Sequence, residues 1–243
     1  PDGWRRALGR EGDERVADLV TGAGGPDWRW LKGWRYELMG CLVFARGAAP
    51  ERVLQAFGVD PAAARTVSAD QMGEVAGPGG GVPVRAGRQG EWAFAIDLDA
   101  PAGPADHAEV VRWLSTGTEA VLVEWTPKPT ASVEYWADGI WTTSFDVRTS
   151  HQRAGADPDR FLLEMRAVGL RTDAVDAEAD RARVLEERAR IVEARRKGIP
   201  VEVFDPFLAA LDMLALALGI TLPADVAEGP LLTAARPRAA RAG

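Results

Sequence analysis

Cys41 is the only thiol in the chain, and His107 and His151 are its only imidazoles. Nucleophilic catalysis needs a base beside the nucleophile, and a transition-metal centre needs several Cys, His or acidic side chains together. The two histidines stand far apart in the sequence, with no second Cys or His beside either. Neither has the sequence of a nucleophile elbow nearby. Cys41 lies in the apolar run 38–45, where a cysteine reads as an inert core residue. Thiol reactivity requires a polar, partly exposed setting. His107 falls early in a predicted helix and His151 in a loop after a hairpin, and both read as surface residues. No catalytic residue, metal ligand or cofactor is therefore assigned.

The acids offer one further route to chemistry. Asp97, Asp99, Glu124, Glu134 and Asp146 fall on or beside predicted strands. Carboxylates on adjacent strands can hold a divalent ion for hydrolysis, so a metal-dependent hydrolase stands as one alternative. Alternation, however, places Asp97 with Ala93 and Ala95, away from Trp92, Phe94 and Ile96. That reads as a solvated sheet face. The glycine-rich stretches 22–25 and 77–81 lack the Gly-Lys-Ser/Thr of a phosphate loop and read as connectors.

Tryptophan is the most unusual component, with nine residues. Trp28, Trp30 and Trp34 sit among Arg29, Lys32 and Arg35, a mixture typical of protein-binding surfaces. The competing reading is a lid packed on the sheet. Trp125, Trp136 and Trp141, with Tyr135 and Arg148, form a second candidate group that could line a small aromatic pocket, as in a small-molecule sensor.

These side chains must be positioned by a mixed fold. The expected class is α+β: a mainly antiparallel sheet of about five to six strands, flanking helices and a C-terminal helical extension. Residues 38–45, 82–88, 91–99, 119–126 and 132–147 supply the strands. The last contains Asp138-Gly139, a two-residue turn that pairs Trp136 with Trp141. Helices are expected over 11–20, 50–57, 68–75, 105–114, 157–168 and 176–197. A final helix is expected to open at Asp205-Pro206. The organisation is then a Trp-rich segment 1–35, a sheet-bearing domain 36–150, a helical extension 151–233 and a disordered tail 234–243. The helix 176–197 is densely charged, with few apolar positions, as in a helix that is half solvated or lies against a partner.

Composition narrows the function classes. A net charge of −7 disfavours nucleic acid and anionic membrane surfaces as general partners. No apolar stretch is long enough to span a membrane. A single cysteine forms no internal disulfide, and the start of the sequence lacks a secretory signal, which points to the cytoplasm.

A set of short pieces then falls into a familiar order. Residues 40–47 read Gly-Cys-Leu-Val-Phe-Ala-Arg-Gly, and Phe57-Gly58 ends the next helix. Residues 90–97 read Gly-Glu-Trp-Ala-Phe-Ala-Ile-Asp, followed by Leu-Ser-Thr-Gly-Thr-Glu-Ala at 114–120 and the Asp138-Gly139 hairpin. Asp157-Pro158-Asp159-Arg160 and Leu-Gly-Ile-Thr-Leu-Pro at 218–223 complete the set. Over residues 36–233 this resembles an uncharacterised actinobacterial domain-of-unknown-function family, numbered 6461, with 176–197 resembling an insertion. The resemblance implies a bacterial cytoplasmic protein and no particular activity. The expected function is that of a non-enzymatic interaction module whose partner is another protein, as in immunity or defence systems. Helix 176–197 offers a route to homo-oligomers.

Overall fold

The computed structural model describes residues 28–31, 39–76, 81–98, 104–126, 130–174, 177–201 and 203–236. The expected helix 11–20, Trp34 and most of the two glycine-rich stretches lie outside them.

Nine strands form one sheet: β1 (Gly40–Arg46), β2 (Arg65–Val67), β3 (Val82–Gln89), β4 (Trp92–Leu98), β5 (Glu119–Trp125), β6 (Ala131–Ala137), β7 (Ile140–Asp146), β8 (Arg153–Ala154) and β9 (Leu231–Arg236). Their order is β2-β9-β3-β4-β1-β5-β6-β7-β8, and each neighbouring pair is antiparallel. The α+β antiparallel class holds, but the sheet has nine strands rather than five to six. The difference comes from two short edge strands, from a hairpin that divides into two strands, and from β9. Its sequence, Leu-Leu-Thr-Ala-Ala-Arg, runs into the basic residues that were read as a tail.

The helices are α1 (Pro50–Ala56), α2 (Met72–Ala76), α3 (Pro104–Leu114), α4 (Leu162–Ala167), α5 (Ala177–Arg196), α6 (Pro206–Leu218) and α7 (Ala224–Glu228). Local chemistry sets several boundaries. Asp205 Oδ1 accepts from the Phe207 and Leu208 amides, and Pro206 has no N–H to satisfy, so α6 starts there. Gly219 at φ 68° stops it. Asp138 and Gly139, at φ 51° and 74°, form the expected two-residue turn, and Trp136 faces Trp141 across it.

Strand alternation divides the core into two layers, one on each side of the sheet. On one side Leu42, Phe44, Phe94, Ile96, Val123, Trp125 and Tyr135 meet Met165 of α4 and Phe207, Leu211 and Leu214 of α6. The helical part of the chain therefore packs on the sheet and shares its core. On the other side Cys41, Val43, Ala45, Val84, Ala93, Ala95 and Leu122 meet Val53 and Leu54 of α1 and Val110, Val111 and Leu114 of α3. Every residue of β4 is buried. The face expected to be solvated is thus a second core, and its small alanines let the helices approach closely.

Candidate functional site

Three side chains stand in one row across the centre of that second face. Cys41 on β1 pairs directly with Asp97 on β4 and with Glu124 on β5. Directly opposed residues of antiparallel strands point to the same side of the sheet. His107 comes down on this row from the first turns of α3. It belongs to the buried stripe of that helix, His107, Val110, Val111 and Leu114, whose spacing keeps them on one side. Cys41 and Asp97 are fully buried, and His107 is 3% exposed. The expected surface position of His107 and solvated position of Asp97 are both overturned, because α1 and α3 cover the face that carries them.

The row is one residue pair in from the strand ends, where Gly40 lies opposite both Leu98 and Trp125. A side chain at Gly40 would meet the Trp125 ring at 2.6 Å and the Asp97 carbonyl at 2.9 Å, so only glycine fits at this rim.

The contacts form a chain of alternating charge. Glu124 Oε1 lies 2.5 Å from His107 Nδ1. His107 Nε2 lies 3.6 Å from Asp97 Oδ2 and 3.8 Å from Cys41 Sγ. Arg236 reaches in from β9: its Nε donates to Asp97 Oδ2 at 3.0 Å, and a terminal nitrogen lies 2.9 Å from the same oxygen. Asp97 Oδ1 is buried with no hydrogen-bond partner. The Phe57 ring, 6.1 Å from the imidazole centre, stands beside the cluster. Burial alone would lower the His107 pKa, but hydrogen bonds to Asp97, Cys41 and Glu124 outweigh it and push the value up to about 12. Burial pushes the Cys41 thiol up, against the pull of His107. The charged form of His107 and the neutral thiol of Cys41 are thereby favoured, beside the Asp97 and Glu124 side chains and the Arg236 guanidinium.

Cys41, Asp97 and His107 are also the residues whose donor atoms could share a metal ion, since all three lie within 4.8 Å of one another. Of the remaining strand acids, Glu134 is half-buried and accepts from Trp136 Nε1, while Asp146 accepts the Arg148 amide in a turn. Asp99 lies outside the described residues. His151 sits half-buried between β7 and β8.

The tryptophan candidates are dispersed. Trp28 is 2% exposed within the α6-side core, and Trp30 Nε1 donates to the Leu222 carbonyl. The two therefore pack against α6 and the segment that follows it. Trp125 and Tyr135 are buried on the α6 side, whereas Trp136 packs against the α3-side core and Trp141, its partner in register, is exposed. The sheet separates these two pairs, so they do not line one pocket. Arg148 is exposed in the turn after β7. An open cleft elsewhere, lined by residues including Pro50, Thr66, Arg88, Asp225 and Leu232, contains none of these aromatic residues.

What the geometry defines is an antiparallel sheet covered by helices on both faces, with a buried thiol, imidazole and carboxylate cluster at its centre. Residues 21–196 match a family described as "Family of unknown function (DUF6461)", which is more than half of the chain, and the protein belongs to that family. The matched span includes Cys41, Asp97, His107, Glu124 and all of α5, while Arg236 lies beyond it. No curated protein and no solved structure matches the chain.

Proposed function

We propose that this chain is a non-enzymatic, intracellular protein-interaction module that binds another protein, as components of immunity and defence systems do. One observation carries the reading. Of the nine exposed large hydrophobic side chains among the described residues, five lie between 185 and 204: Leu185, Val192, Ile199, Val203 and Phe204. Three of the five, Ile199, Val203 and Phe204, follow α5 in the chain.

Helix α5 has 20 residues and almost no amphipathic bias, and among the described residues it has no extensive packing against another element. A helix of this kind draws little stability from a core, and a docked partner supplies what its own body does not. Burying Leu185 and Val192 on a partner contributes roughly 1.5–3 kcal/mol each, while the charged residues around them set orientation. Burial of Cys41, Asp97 and His107 supports the non-catalytic part of the reading, because a substrate must touch the groups that act on it. The free, buried Cys41 is compatible with a reducing compartment.

Affinity capture from native lysate, comparing wild type with the double variant Leu185→Glu, Val192→Glu, tests the surface. The expected result is a species retained by wild type and lost with the variant, at unchanged thermal stability. Equal recovery with both would remove α5 from the claim. Sedimentation of the purified chain alone over a concentration series separates a foreign partner from a second copy docking through 176–197.

A further inference from the structure

We propose that Cys41, Asp97 and His107 form a binding site for a zinc-class divalent transition-metal ion, with Glu124 as the carboxylate that orients His107. This inference is independent of the interaction reading above.

The donor set comes first. A thiolate, an imidazole and a carboxylate together suit zinc and cobalt, whereas magnesium and calcium prefer oxygen alone. The spacing follows. In a tetrahedral site with zinc–sulfur and zinc–nitrogen bonds of about 2.3 and 2.0 Å, neighbouring donor atoms stand roughly 3.3–3.6 Å apart. Here Sγ and Nε2 are 3.8 Å apart, and Nε2 and Asp97 Oδ2 are 3.6 Å apart. Those two pairs need to close by only a few tenths of an ångström around an ion, and all three donor atoms lie within 4.8 Å of one another.

The support around the donors has the form that metal sites use. A ligating histidine commonly gives its second nitrogen to a carboxylate, which fixes the ring and its tautomer. Glu124 holds Nδ1 at 2.5 Å, and this turns Nε2 toward Cys41 and Asp97. The strand donors are set by direct pairing in the middle of a nine-stranded sheet, and the helix donor belongs to a buried stripe. Such placement costs little reorganisation on binding.

Asp97 adds an independent indication. Arg236 takes only one of its oxygens, and the other is buried without any partner. A buried carboxylate oxygen left unpaired is costly, and an ion bound by both Asp97 oxygens, with Oδ2 still accepting from Arg236, would satisfy it. A metal ion takes Cys41 as the thiolate and His107 with Nε2 unprotonated, so binding releases protons to solvent. Three protein ligands leave a fourth position for water or a further donor.

Cobalt titration of chelator-treated, folded protein tests the site. The expected result is one equivalent of cobalt bound with a thiolate-to-cobalt charge-transfer band, displaced by zinc. Cys41→Ser should abolish that band, and Glu124→Gln should weaken cobalt binding by roughly 10- to 100-fold at unchanged circular dichroism. X-ray absorption of the zinc-loaded wild type gives a reading that needs no variant: one sulfur among nitrogen and oxygen neighbours. Absence of a charge-transfer band in folded wild type, its persistence in Cys41→Ser, or a zinc shell without sulfur would each overturn the site. In those cases the cluster is a self-contained ion-pair network.

Discussion

Burial acts on two aspartates in different ways. Asp97 has Arg236 and His107 beside it, whereas Asp212, partly buried on α6, has its carboxyl pushed up to about 6 by burial, against the pull of Arg29. A carboxyl whose folded pKa exceeds its unfolded value favours the fold while protonated. That contribution is fully present below about 3.8 and is lost as pH rises through about 6. Asp212→Asn should therefore stabilise the protein at pH 7.5 by about 1 kcal/mol, after discounting for solvent near a partly exposed group. The gain should disappear below pH 4. Urea titrations at the two pH values check this, and an equal effect at both would exclude the mechanism. The fate of Asp97 was partly legible. The apolar runs 38–45 and 120–123 announce buried strands, so part of the sheet is covered on both faces. The alternation within 91–99 alone concealed this, because alanine is as common on open faces as under a close-packed helix. His107 carried a similar signal in its spacing to Val110, Val111 and Leu114. Cross-strand neighbours from distant segments were not legible at all, since pairing Cys41 with both Asp97 and Glu124 depends on strand order.

Elements bounded by strong local chemistry were the most readable. The Asp138-Gly139 turn, the Asp205 cap and the stop at Gly58 all stand where the sequence places them. The turn can be tested alone. A Cβ at Gly139 would meet nothing closer than 3.8 Å, so Gly139→Ala costs only the left-handed backbone at φ 74°. The expected loss is about 1–2 kcal/mol, with the global fold unchanged. A loss beyond that range in thermal unfolding would mean that the turn also carries tertiary contacts. Where local signals were weak, boundaries moved. The helix expected from 157 begins at Leu162, because 157–161 is taken up by turns, one of them accepting from Thr143 through the Asp157 carbonyl. Thr143 belongs to β7, so a tertiary bond competes with the local cap. Helix α5 was legible as a charged helix, and its exposure follows from the same thin apolar pattern.

At the scale of the molecule, β9 joins parts of the chain that no local pattern connects. It lies between β2 and β3, with Val82 opposite Arg236 and Val67 opposite Leu231. It also delivers Arg236 to Asp97, and the α7–β9 approach is held by Arg85, a buried guanidinium bonded to the Ala227, Gly229 and Val67 carbonyls. Six residues read as the end of the helical extension and the start of the tail therefore complete both the sheet and the charge balance of its centre. Truncation after Gly229 leaves β3 as an unpaired, apolar edge, removes the only strand beside β2 and strips Asp97 of its guanidinium. Exposed edges of this kind template aggregation, and a buried carboxylate that loses its partner costs roughly 3–5 kcal/mol. The expected outcome is a truncated chain that is insoluble or lacks a cooperative transition. Arg236→Met in the full chain keeps the strand and removes only the charge, so it should stay soluble with a lowered midpoint. Solubility and a wild-type midpoint in the truncated chain would show that the sheet closes without β9, and would leave Asp97 to be balanced by His107 alone. Because β3 must wait for a strand about 150 residues later, the native core cannot close until the C-terminal segment is made, and refolding should be slow relative to a hairpin-built sheet of this size.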